Sequence, residues 1–139
     1  MPSTSRQPRE SVRFSEDVAP DSSVTLTYEV PEDATVEQLR VRIYRGAELD
    51  LEVEPFIDRS RDTRREQREP LVTYRGREFI VGDGDEFVFP LSLDVQEGEV
   101  LAVEVRNQDG TYSYDFSVDL ELEYAGGTSR IVEVIGGWF

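Results

Sequence analysis

The 139-residue chain carries 30 Asp plus Glu against 15 basic residues, a formal net charge of -15; by length it is one domain, and its surface repels phosphate, which argues against nucleic-acid binding. It contains neither His nor Cys, which removes imidazole and thiolate chemistry, disulfides and the usual zinc ligands. No apolar run reaches the ~18 residues of a membrane span, and the N-terminus lacks the apolar core of a signal peptide, so neither a membrane partner nor Sec export is expected.

All 15 basic residues are Arg; Lys is absent. So large a negative charge destabilises a compact state in dilute buffer, but at ~1 M salt the screening length falls to ~3 Å and the hydrated carboxylates keep the chain in solution. This composition resembles that of halophilic archaea and their viruses. A competing reading is an acidic partner for a basic protein surface.

In chain order, residues 1–10 (MPSTSRQPRE) have the polar, Pro-bearing composition of an N-terminal arm. Val12 and Phe14 predict a short strand, ended by a turn over 16–21. Val24, Leu26, Tyr28 and Val30 alternate with polar residues in a second strand that Pro31 stops. One helical turn is expected over Val36–Leu39. The strand that follows bears Arg40 and Arg42 outward, and its natural neighbour is the acidic strand around Leu49, Leu51 and Val53, directly next in the chain.

Residues 58–69 (DRSRDTRREQRE) form a charged loop with Arg59, Arg61, Arg64, Arg65 and Arg68. Such a run usually faces water, and in a chain this acidic it is also a candidate contact with a neighbouring subunit. Val72, Tyr74, Phe79 and Val81 resume the strand alternation around Gly76. Gly82–Glu86 is a turn; Asp83, Asp85 and Glu86 are a weak metal candidate, because the spacing lacks the calcium-loop pattern.

Phe87, Phe89, Leu91, Leu93 and Val95 alternate along one strand, and Pro90 on the other parity marks an edge or a bulge. Leu101, Val103 and Val105 form the next. Asn107–Gly110 then predicts a hairpin spanning 99–124, whose second half is the clearest segment of all: Tyr112, Tyr114, Phe116, Val118, Leu120, Leu122 and Tyr124 alternate with Ser, Asp and Glu. A last strand covers 130–135, and the aromatic tail 136–139 ends in Trp138 and Phe139, either a cover for the core or an anchor for a neighbour's pocket.

Eight or nine short strands with turn residues between them predict an all-β fold, a two-sheet antiparallel sandwich, over residues 11–135. Strand number favours a jelly roll over the immunoglobulin alternative, which also lacks its Cys pair. No enzyme is expected: nearly every carboxylate occupies an outward strand position or a turn, and none sits in an apolar run that would hold it protonated. A carbohydrate-binding module for cell-surface glycans remains as an alternative, with Tyr44 as the outward aromatic for stacking.

On composition and architecture, the chain resembles small β-sandwich virion structural proteins of halophilic archaeal viruses, of the turret, decoration or tail-associated kind. The resemblance implies a homo-oligomer that contacts other virion proteins, takes no cofactor, nucleic acid or membrane, and resides in the virion after assembly in a halophilic host's cytoplasm. Arg59, Arg61, Arg64, Arg65, Arg68, Trp138 and Phe139 are the candidate interface residues.

Overall fold

A computed structural model describes residues 9–60, 67–124 and 130–135. The described residues contain nine strands and no helix: β1 Arg9–Val18, β2 Ser22–Glu29, β3 Ala34–Ile43, β4 Leu51–Asp58, β5 Arg68–Pro70, β6 Asp85–Val95, β7 Val100–Asn107, β8 Tyr114–Tyr124 and β9 Arg130–Ile135. They build a five-stranded sheet, β6-β3-β8-β1-β9, and a four-stranded sheet, β2-β7-β4-β5.

The pairing is nested. β1 runs antiparallel to β8, β2 to β7, β3 to β6 and β4 to β5. Alternate pairs fall in opposite sheets, and β3–β8 and β4–β7 contacts complete each sheet. A four-deep hairpin rolled up in this way is a jelly roll. An immunoglobulin order would keep its first two strands in one sheet; here β1 and β2 lie in different sheets. β9 is an addition, parallel to β1 at the sheet edge.

β8 sits in the middle of its sheet, which is why its alternation is so clean: Phe116, Val118, Leu120, Leu122 and Tyr124 are all buried. They pack with Val12, Phe14 and Val18 of β1 and Leu39, Val41 and Ile43 of β3 against Leu51, Val53 and Ile57 of β4 and Leu101, Val103 and Val105 of β7. Tyr112 precedes the strand and is 65% exposed.

Four local expectations are corrected. β1 does not turn at Glu16; it continues to Val18, which shares the inward parity of Val12 and Phe14 and is fully buried opposite Tyr114. The helical turn at Val36–Leu39 is a β-bulge, a register shift between Val36 and Gln38 that keeps Val36 and Leu39 both inside. The segment after Pro70 is not a strand resuming at Val72: it forms only the Tyr74–Arg77 and Val53–Ile80 bridges.

The fourth correction concerns the hairpin over 99–124. β7 and β8 belong to different sheets, so Asn107–Gly110 leads the chain across the sandwich. The buried Asn107 side chain holds this crossing, its Nδ2 donating to the carbonyls of Val18, Ala19 and Tyr112 at 3.1, 3.2 and 2.8 Å. Asp109 accepts the backbone N–H of Thr111 at 2.7 Å and the Tyr114 hydroxyl.

Candidate assembly surfaces

The outer face of the four-stranded sheet is built by register. Glu52 lies opposite Arg106, Glu54 opposite Glu104, and Phe56 opposite Ala102. Two glutamates directly across from each other repel, and two arginines resolve the conflict. Arg106 reaches Glu52 at 2.9 Å, Glu54 at 3.0 Å and Glu104 at 3.4 Å, while Arg68 reaches Glu104 at 2.8 Å and Glu54 at 3.2 Å. The Arg68 hydrogen bond holds the Glu104 carboxyl below the usual range, with the charge of Arg106 adding to it.

Arg40 and Arg42 face neighbours other than the acidic β4. β3 and β4 lie in different sheets, so Arg40 stands opposite Asp119 of β8 and has Glu86 of β6 at 3.8 Å. Asp119 pairs with Arg13 of β1 at 2.7 Å. Farther along β1 and β8, Asp17 lies directly opposite Asp115; burial and then the charge of Asp17 push the Asp115 carboxyl up.

Of the charged loop, Arg59 and Arg68 are described, and both guanidinium groups engage this chain's own carboxylates. Arg59 contacts Glu69 at 3.2 Å and the buried Glu99 at 3.0 Å. Arg61, Arg64, Arg65, Trp138 and Phe139 lie outside the described residues. Asp83 and Asp85 serve the turn: Asp83 accepts the Gly46 N–H at 2.6 Å and Asp85 the Asp83 N–H at 2.9 Å. Among the described residues no group of three carboxylates could hold a metal ion. Tyr44 is 42% exposed and carries the Arg42 guanidinium 5.2 Å from its ring centroid.

Two features escape sequence reasoning. One is Glu10, assigned to the arm but buried in β1, where it accepts hydrogen bonds from the hydroxyls of Tyr28, at 2.7 Å, and Tyr124. Tyr28 belongs to β2, so the contact ties one sheet to the other. Its only sequence signal is parity with Val12 and Phe14.

The other is a basic and aromatic knuckle between β5 and β6. Tyr74, Arg75, Arg77, Phe79 and Val81 line a recess of about 260 Å³. Arg75 lies over the Tyr74 ring and Arg77 over the Phe79 ring, at 5.3 and 5.5 Å from the centroids. Tyr74 meets Phe87 and Phe89 edge-on. Phe87, Phe89, Leu91 and Leu93 are only half-buried, because the 11-residue edge strand β6 has as its counterpart at the edge of the other sheet the 3-residue β5. At the far end of β6, Asp33, Thr35, Asp94 and Glu123 line an acidic cleft of about 330 Å³.

No protein-family model matches the chain, and no curated protein matches it. Among solved structures it is similar to a chain in the structure of infectious bursal disease virus Gt strain, with a TM-score of 0.42 and 13% identity over 91% of this chain. It spans 34% of that chain's length. The jelly-roll assignment rests on the strand order.

Proposed function

We propose that this chain is a non-enzymatic structural component of a virion, multimeric and in contact with other virion proteins. The nested strand order carries the reading, because viral capsid domains are among the recurrent uses of the jelly roll. Lectin domains and cupins share that architecture, so fold alone does not assign a function. The distribution of surface favours a building block: a long edge strand with a half-buried apolar row, and ion-pair networks spread over the outer face of the four-stranded sheet.

The Lys-free, carboxylate-rich composition supports a halophilic archaeal virus as the source and the virion, assembled in a salt-rich cytoplasm, as the location. Its mechanism is burial of surface between subunits about a symmetry axis, with no cofactor, nucleic acid or membrane taking part. Light scattering of the full chain in concentrated salt tests this. A discrete multimer is expected, and a monomer at all concentrations would overturn self-assembly.

A further inference from the structure

The Tyr74–Val81 knuckle is distinguished by what its arginines lack. Among the described residues, Arg13, Arg40, Arg59, Arg68 and Arg106 each have a carboxylate at 3.8 Å or less, whereas Arg75 and Arg77 have none and are exposed. Arg42 and Arg45 also lack a carboxylate partner but lie outside the recess. Arg75 and Arg77 are the pair of these that lines one recess, side by side with Tyr74 and Phe79.

The turn is also shaped to present them. Tyr74 and Arg77 exchange backbone hydrogen bonds of 2.7 and 3.0 Å, and the two residues between them both have positive φ, 53° at Arg75 and 78° at Gly76. This is the two-residue hairpin turn that favours Asn-Gly. Arg75 therefore holds a left-handed backbone position for which Asn is better suited. Strain of this kind at an exposed position directs attention to the side chain.

From this geometry we infer that the knuckle is a docking surface for a second copy of this chain, and that it enters the second copy's acidic cleft at the far end of β6. The inference rests on the self-assembly reading above. Charge complementarity selects the occupant: Arg75 and Arg77 match the carboxylates of Asp33 and Asp94, which line the cleft together with Ala34 and Val95. Asp33 and Asp94 each accept one hydrogen bond, from the Glu97 N–H and the Thr35 hydroxyl, and keep further lone pairs for a guanidinium.

The two patches are separate. Tyr74 touches Phe89, and the extended chain from Phe89 to Val95 covers about 20 Å. One copy's knuckle in the next copy's cleft is thus a head-to-tail contact, which closes into a ring or continues as a filament. High salt does not defeat it. At ~1 M salt the screening length of ~3 Å removes the long-range repulsion between acidic copies and leaves pairs made at contact distance.

The test uses two variants of the full chain in concentrated salt. Arg75→Asn with Arg77→Gln removes the knuckle charge while improving the turn, and Asp33→Asn with Asp94→Asn neutralises the cleft while keeping its hydrogen-bond acceptors. Each is expected to stay folded, with no loss of melting temperature, and to weaken association at least tenfold by light scattering. Mixed in equal amounts they should form a dimer and nothing larger, because each supplies the half that the other lacks. A wild-type multimer that both variants reproduce overturns the docking surface and leaves self-assembly standing. A mixture that stays monomeric overturns the head-to-tail pairing, and a monomeric wild type overturns both readings.

Discussion

The guanidinium of Arg68 lies 3.8 Å from the centroid of the Phe56 ring, capping an aromatic that faces outward from its sheet yet is 2% exposed. The same group pairs with Glu54 and Glu104, so one arginine from the three-residue β5 covers apolar surface and separates two glutamates that stand opposite each other. Arg68→Ala should destabilise the fold by roughly 1–3 kcal/mol. Arg68→Lys should recover only part of this, because an ammonium keeps the charge without the planar stack. Thermal melts in concentrated salt measure both, and an unchanged Tm for the alanine variant would show the cap to be incidental.

The Glu10 carboxylate is held by hydroxyls from both sheets. Tyr124→Phe leaves the ring in the core and removes one donor to a buried charged group. A cost of about 1.5–3 kcal/mol is expected. Tyr28→Phe should cost less, since Tyr28 is half-buried. Denaturant unfolding distinguishes the two; equal stability of all three proteins would mean that water replaces either hydroxyl.

Asp115, which stands opposite Asp17, gives a pH dependence of opposite sign to the paired carboxylates. Burial, followed by the charge of Asp17, raises the folded-state value for Asp115 above its ordinary one. The folded state then binds this proton more tightly than the unfolded state does, so its contribution to stability falls as pH rises from the unfolded to the folded value. Asp115→Asn should therefore raise Tm at neutral pH, with the gain fading in acid below that window. A gain independent of pH would trace to something other than this ionisation.

With 30 carboxylates and 15 arginines, one-to-one pairing leaves half of the carboxylates without a cation. Surface ion pairs weaken in salt but are worth only ~0–1 kcal/mol each, whereas the unpaired excess repels throughout the molecule. Tm should consequently rise from dilute buffer to molar KCl as the screening length drops from ~10 Å at 0.1 M to ~3 Å. A flat response would remove repulsion as a determinant of stability and, with it, the main support for a hypersaline solvent.

What the sequence revealed follows from how locally each feature is encoded. The alternation of Phe116, Val118, Leu120 and Leu122 is complete within one strand, and so was readable. Pro90 marks β6 as an edge for the same reason, its missing N–H being a local property. Partner choice is not local: Arg40 meets Glu86 instead of the acidic strand that follows it, because the roll sends β3 and β4 to opposite sheets. Asn107 reads as a hairpin residue until its side chain is seen bonding to Val18 and Ala19, 89 and 88 positions away. Glu10 and the knuckle depend on neighbours brought in by the fold, and only the Arg-Gly-Arg spacing at 75–77 offered a sequence trace of the latter.

The nested pairing also imposes an order on acquiring the structure. β4 ends at Asp58 and its partner β5 begins at Arg68, whereas Arg13 and Asp119, which pair across β1 and β8, are 106 positions apart. Loop closure costs more entropy as the span grows, and distant pairings form late. We expect amide protons of β4 and β7 to gain protection before those of β1 in pulse-labelled refolding, with simultaneous protection of all strands as the contrary result. On a ribosome β1 emerges well before β8 exists, so Val12, Phe14 and Val18 stay without their native cover until β8 has been made, and that interval is when this chain is most open to misassociation.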